Sequence, residues 1–160
     1  MLTIEDTFSR INTPTMHELI CANDHSLQCE RGGGALWYFE SILTYFEAAF
    51  FAAIRLVGHL AASTLGLCFI FTQSGRDFYF SQIQCAHIDL VGMFTALIAG
   101  IYPSSGQDAV VYAILYVDGY YFQGQLSEAS LQQTGLDPSF AIIDQFRKLE
   151  RDAAMPAQLR

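Results

Sequence analysis

The chain has 160 residues, long enough for one domain with a substantial core, and 52% of them are hydrophobic against 15% charged. A soluble domain usually carries about 25% charged residues, so this composition is apolar. The formal net charge of -8 excludes the basic footprint that binds nucleic-acid phosphates and disfavours simple electrostatic adhesion to an anionic lipid surface.

The charges are unevenly placed. Residues 1–34 carry seven and residues 123–160 carry nine, while the 88 residues between carry eight: Glu40, Glu47, Arg55, Arg76, Asp77, Asp89, Asp108 and Asp118. The opening MLTIEDTFSR is acidic and mixed, so no cleavable signal peptide is expected. Four cysteines, Cys21, Cys29, Cys68 and Cys85, are too few for a disulfide scaffold of this length and imply no oxidising compartment.

Residues 1–34 read as a soluble arm of two short helical pieces. Ile4, Phe8 and Ile11 share a helical face, Thr13-Pro14 stops that piece, and Thr15-x-x-Glu18 resembles a capping box for the next. Arg31 and the glycines through Gly34 form the strongest breaker in the chain and a flexible boundary. His17, Cys21, His25 and Cys29 recur every four residues and invite a metal reading. On one helix they would spread over about 18 Å, so at most one adjacent pair could share an ion. No metal or other cofactor is expected.

Residues 35–103 are the membrane candidate. If helical, 41–72 would reach about 48 Å against a hydrocarbon core of about 30 Å. The expected division is therefore an amphipathic lead-in over 36–52 and a span over 53–72. A connector, QSGRDFYFSQ (73–82), has the charged and aromatic character of a membrane–water interface. A second apolar run, 83–102, has the length of one span and ends at Pro103. Gly58, Ala62 and Gly66 in the first run, and Gly92, Ala96 and Gly100 in the second, repeat small residues at four-residue steps. Such stripes let two backbones approach closely in a helical hairpin.

Arg55, His59 and Asp89 are the ionisable groups in or near the expected spans and should face protein or water. With the turn at 73–82, Arg55 and Asp89 differ by roughly 16 Å in depth and are not expected to meet. Cys85-x-His87-x-Asp89 has the residue types of a nucleophile, base and orienting acid, but a helix sets alternate residues about 200° apart. No oxyanion nest or nucleophile elbow lies nearby.

In 104–160 a helix is expected over 105–117, although VVYAILYV-DG-YYFQGQL also reads as two strands around Asp118-Gly119. A last helix starts at Asp137-Pro138 and carries Phe140, Ile143, Phe146 and Leu149 on one side.

The two apolar lobes at 41–72 and 83–102, with a short polar turn between soluble ends, resemble the bilobed hydrophobic domain of chlamydial inclusion-membrane proteins. That resemblance covers about forty per cent of the chain and is one of hydropathy. It implies an exported bacterial protein that sits in a host-derived membrane and recruits partners with its exposed ends. The expectation is thus an all-α, non-catalytic membrane protein with a central two-span hairpin, contacting a lipid bilayer and a protein partner through its termini. The alternative is a soluble, mostly helical interaction domain in which 41–117 is a buried core; a cysteine- or metal-dependent enzyme is a third reading.

Overall fold

The computed structural model of the chain describes residues 10–34, 36–122, 124 and 126–154. Among the described residues there are six α-helices and no strand, so the chain is all-α as its periodicity indicates. Ile4 and Phe8, expected to begin a first helical piece, lie outside the described residues; Ile11 is buried in the core.

Helix α1 (Pro14–Gly32) corrects the reading of its own start. Thr13 caps the helix, its hydroxyl accepting from the Met16 N–H at 3.3 Å, and Pro14 occupies the first turn, where a missing N–H costs nothing. Thr13-Pro14 therefore opens a helix, and Thr15 and Glu18 are free for tertiary contacts. Gly33, at φ 62, ends it by donating its N–H to the Glu30 carbonyl.

Helix α2 (Trp37–Leu67) is 31 residues long and unbroken, so lead-in and span are one rod. No proline interrupts its ladder. The reversal comes at residues 68–72, where Phe69 donates to the Gly66 carbonyl and Thr72 to the Phe69 carbonyl, at 3.1 and 2.9 Å. Helix α3 (Gln73–Ile101) starts at once: the Thr72 hydroxyl accepts from the Gly75 N–H at 3.0 Å. A Cβ on Gly75 would overlap the Phe69 carbonyl, so the tight turn requires glycine there. The expected connector 73–82 is thus the beginning of a helix. Its polar residues are N-terminal-turn chemistry, while the true turn hides in the apolar letters Cys68-Phe69-Ile70-Phe71.

A 3-10 turn (Pro103–Ser105) leads into α4 (Gly106–Tyr121), which settles the helix-or-strand alternative in favour of helix. Asp118-Gly119 lies inside it. The Asp118 carboxylate accepts the Leu126 N–H at 2.6 Å, and its carbonyl accepts from Phe122 and Gly124, tying the following chain back. Helix α5 (Glu128–Gln132) is a short turn with a reciprocal Ser127–Ser130 cap, and α6 (Pro138–Ala154) begins where Asp137-Pro138 indicates.

Helices α2 and α3 pack antiparallel. Along the first half of α2 runs α1, also antiparallel, with Ser26 donating to Ser41 at 3.0 Å and Tyr45 to Asn23 at 3.2 Å. Helix α4 folds back along the second half of α3, and α6 closes over α1 through Arg147 and Asp24 at 2.6 Å. Met16, Leu19, Tyr45, Ala96, Ile114 and Ile142 share one core, so all three sections of the chain contribute to it. Burial of each of Met16, Leu19, Ile114 and Ile142 stabilises the fold by about 1.5–3 kcal/mol. Beyond Arg55 and His87 the hairpin runs on past the start of α1 and the end of α4.

Candidate functional site

Two features stand out: a polar node where α1, α2 and α3 meet, and a broad apolar face on the opposite side of the hairpin. The node centres on Arg55 of α2. Its Nη1 and Nη2 donate to the two carboxylate oxygens of Glu18 at 2.7 and 2.5 Å, a bidentate pair from α1. Its Nε donates to the Thr15 hydroxyl at 3.1 Å and lies 3.7 Å from Asp89 Oδ1 of α3. Thr15 in turn donates to that same Asp89 oxygen. His59, one turn further along α2, brings Nε2 to 3.5 Å from Asp89 Oδ2 and holds Gln82 Oε1 at 2.7 Å through Nδ1. The Asp89 side chain is only 5% exposed, and its Oδ2 makes no hydrogen bond among the described residues.

Arg55 and Asp89 therefore do meet, against the expectation from depth. Arg55 lies twelve residues before the end of α2 at Leu67, and Asp89 sixteen after the start of α3 at Gln73. Moving the turn from 73–82 to 68–72 brings them nearly level. All three ionisable residues singled out by their apolar surroundings, Arg55, His59 and Asp89, face protein. Sequence reading missed their α1 partners. Thr15, Glu18, Asn23 and Ser26 recur at three- to five-residue steps, a polar stripe that marks one helix face.

The small residues divide among different contacts. Gly66 packs on α3, where a Cβ would sit 3.1 Å from Phe78 and 3.3 Å from the Tyr79 backbone, and Gly100 packs on Tyr45 and Phe46 of α2. Ala96 is fully buried and Ala62 half-buried. Gly92 faces α1: a Cβ there would overlap the Thr15 methyl. Gly58 contradicts its expected packing role, since it is exposed and open space surrounds it. The reason is rotational. Each four-residue step advances about 40° around a helix, so Gly58 and Gly66 point about 80° apart.

Among the described residues, the catalytic and metal groupings suggested by spacing do not converge. Cys85, His87 and Asp89 diverge: His87 turns to α4, with Nδ1 2.6 Å from the Tyr121 hydroxyl and its ring edge-on to Tyr120. On α1, Cys21 lies 3.7 Å from His17, whose Nε2 is 3.5 Å from Glu150, and Cys29 lies 3.5 Å from His25 and donates to Glu40 at 3.4 Å. Among the described residues no three His, Cys, Asp or Glu side chains converge as ligands. Burial, then the nearby carboxylates of Glu150, Asp24 and Glu18, push the Cys21 thiol up, away from the nucleophilic thiolate.

The second feature is the open face. Leu36, just before α2, and Leu43, Phe50 and Val57 on it stand at seven-residue intervals, 66%, 53%, 63% and 67% exposed. Phe39 and Phe46 lie between them, and on α3 Ile83, Leu90, Phe94 and Ile101 repeat the pattern, all exposed. Exposed apolar patches on soluble monomers seldom exceed a few hundred Å².

No protein-family model, curated protein or solved structure matches the chain. What the arrangement can do chemically thus follows from its own two sides. The node holds charges in a fixed, paired geometry and offers no activated nucleophile. The open face offers only dispersion contacts and burial to whatever meets it.

Proposed function

We propose that the chain is a small, non-catalytic, membrane-attached helical protein. The α2–α3 hairpin holds it to a lipid bilayer, and the outer surfaces of the terminal helices packed on it recruit a protein partner. The observation that carries this reading is the open face. Both long helices have the length and apolarity of membrane-crossing segments, yet only 22% of the most apolar stretch of α2 and 44% of that of α3 is buried by the rest of the protein. A soluble core helix would be mostly covered. The likeness of the two lobes to inclusion-membrane proteins is compatible with an anchoring and recruiting role.

The test is fractionation of the expressed protein. Retention in membranes after alkaline carbonate washing, with release by detergent, is the expected result. Recovery in the wash as a monodisperse species would instead favour the soluble interaction domain, whose partner would then have to cover the same face. Labelling by a thiol-reactive activity probe that is lost in Cys85→Ser would overturn the non-catalytic assignment.

A further inference from the structure

Resting on that reading, we infer that the hairpin lies along one leaflet of the bilayer, with its open face on the acyl chains, and does not cross. Along the stretch that α1 covers, the apolarity of this hairpin is segregated by side. On α3 the direction toward α1 is marked by Gly92, which meets Thr15. At about 100° per residue, Ser74, Asp77, Ser81, Gln82 and Gln84 all point within about 80° of that direction. Ile83, Leu90, Phe94 and Ile101 point within about 20° of the opposite one, as does the single charge on that side, Arg76, in the first turn of α3 next to the hairpin's end. On α2 the division repeats: Arg55 is paired to α1, and Glu40 lies within 3.4 Å of Cys29. The residues of the open face on α2 are uncharged from Leu36 to Val57. Alongside α1, between Leu36 and Val57 on α2 and between Ile83 and Ile101 on α3, the charged groups Glu40, Glu47, Arg55 and Asp89 thus lie toward or at the border of the α1 side, and the opposite side is uncharged.

Depth argues against a complete crossing. From Arg55 to the end of α2 at Leu67 is twelve residues, or about 18 Å, against about 30 Å of hydrocarbon. A hairpin with its turn at the far surface would carry Arg55, Glu18 and Asp89 into the acyl region. The charged side of α1 would follow, because α1 runs beside α2 from Arg55 back to Glu40. Laid flat, the same charges stay in water, and the long side chain of Arg76 reaches the headgroups from the end of the hairpin.

The flank of the open face fits a headgroup boundary. His87 points about 140° from Gly92 on α3, at the border of that face, and it packs on Tyr116, Tyr120 and Tyr121 of α4. Tyr112, Tyr116 and Tyr120 form an exposed stripe at four-residue steps. Amphipathic rings in such a position suit the interface between acyl chains and water. A second copy of the chain is the less suited occupant. Glu40 and Glu47 border the α2 side of the face, and a two-fold partner would bring two more acidic groups with one arginine, Arg76 at the far end of α3, to answer each pair.

The test uses full-length protein reconstituted in phosphatidylcholine vesicles carrying bromine at defined acyl depths. Trp37 is the only tryptophan, so in a Trp37→Phe background each of Leu43→Trp, Phe50→Trp and Val57→Trp places one reporter on the open face without touching the core. Flat placement gives all three the same depth within one leaflet. A crossing hairpin spreads positions 43 and 57 over about 20 Å of depth, and that gradient would overturn the inference while leaving membrane attachment intact. Unquenched reporters on protein that does not bind vesicles would overturn both, and helical circular dichroism of each variant separates that outcome from misfolding.

Discussion

Arg55 Nε stands 3.7 Å from Asp89 Oδ1 across the two arms of the hairpin, while Glu18 of α1 grips the same guanidinium through both carboxylate oxygens. One cation thus holds three helices together. Removing it leaves two carboxylates facing each other at a site where Asp89 is buried. Breaking a fully buried pair costs about 3–5 kcal/mol; partial exposure of Arg55 and Glu18 reduces that here to about 2–3 kcal/mol. Arg55→Met should therefore lower the thermal midpoint in detergent, and Glu18→Gln in the same background should recover part of the loss. A melting curve unchanged by Arg55→Met would show that the node does not hold α1 in place.

Two glycines of the same spacing pattern should behave in opposite ways. Gly58 sits in a helix interior with open space around it, so Gly58→Ala should stabilise the protein by about 0.5–1 kcal/mol through helix propensity and a less free unfolded chain. Gly92→Ala drives a methyl into Thr15 and should destabilise it by about 1–3 kcal/mol. Thr15→Ser, which removes the obstructing methyl and keeps the hydroxyl, should restore much of that loss. Denaturant midpoints for the three variants against the parent decide the matter; an equal response at Gly58 and Gly92 would contradict the packing of Gly92 on Thr15.

The contrast between those glycines shows what was legible in the letters. Two long apolar helices in a hairpin and a final helix opening at Asp137-Pro138 follow from periodicity and breakers, whereas β-branched and aromatic letters around Asp118-Gly119 leave helix and strands both open there. The position of the turn does not, because Cys68-Phe69-Ile70-Phe71 carries none of the usual turn chemistry and Gly75 acts by close approach to Phe69, a tertiary fact. That misplaced turn alone kept Arg55 and Asp89 apart. The packing of α1 was hidden for another reason: its contact face is polar, with Thr15, Glu18, Asn23 and Ser26 satisfied by Asp89, Arg55, Tyr45 and Ser41. A polar stripe on a charged segment looks like a solvated surface until its partners are seen.

Asp137 gives the start of α6 a pH dependence. Its carboxylate accepts from the Ser139 hydroxyl and from the Ser139 N–H at 3.0 Å, and from Gln107 at 3.1 Å. The Ser139 hydroxyl contact, opposed by slight burial, holds the carboxyl below the usual carboxylate range. A lowered value in the folded state means that the ionised form is preferred there. The stabilisation is therefore present above the ordinary carboxylate range and is lost as pH falls through the lowered value. Far-UV circular dichroism across an acid titration should show the parent losing an increment of stability that Asp137→Asn does not lose. Replacement by alanine should cost about 1 kcal/mol at neutral pH. Identical acid profiles for parent and Asp137→Asn would remove this role.

Charge placed on the open face should detach the protein without unfolding it. Phe50 and Val57 are 63% and 67% exposed and belong to no part of the core. Lysine at both positions leaves the helix bundle its full set of buried contacts. Against lipid, each lysine costs up to about 3 kcal/mol if held at bilayer depth, and less where the long side chain reaches the headgroups. The Phe50→Lys/Val57→Lys protein should accordingly move from the membrane pellet to the carbonate wash while keeping its thermal midpoint. Gln132→Lys, which adds the same kind of charge to an exposed site on α5, should stay in the pellet. If the two proteins partition alike, charge alone governs the wash and the face is not what meets the lipid. If the double variant unfolds, Phe50 and Val57 are packing against part of the chain rather than facing a solvent of acyl chains.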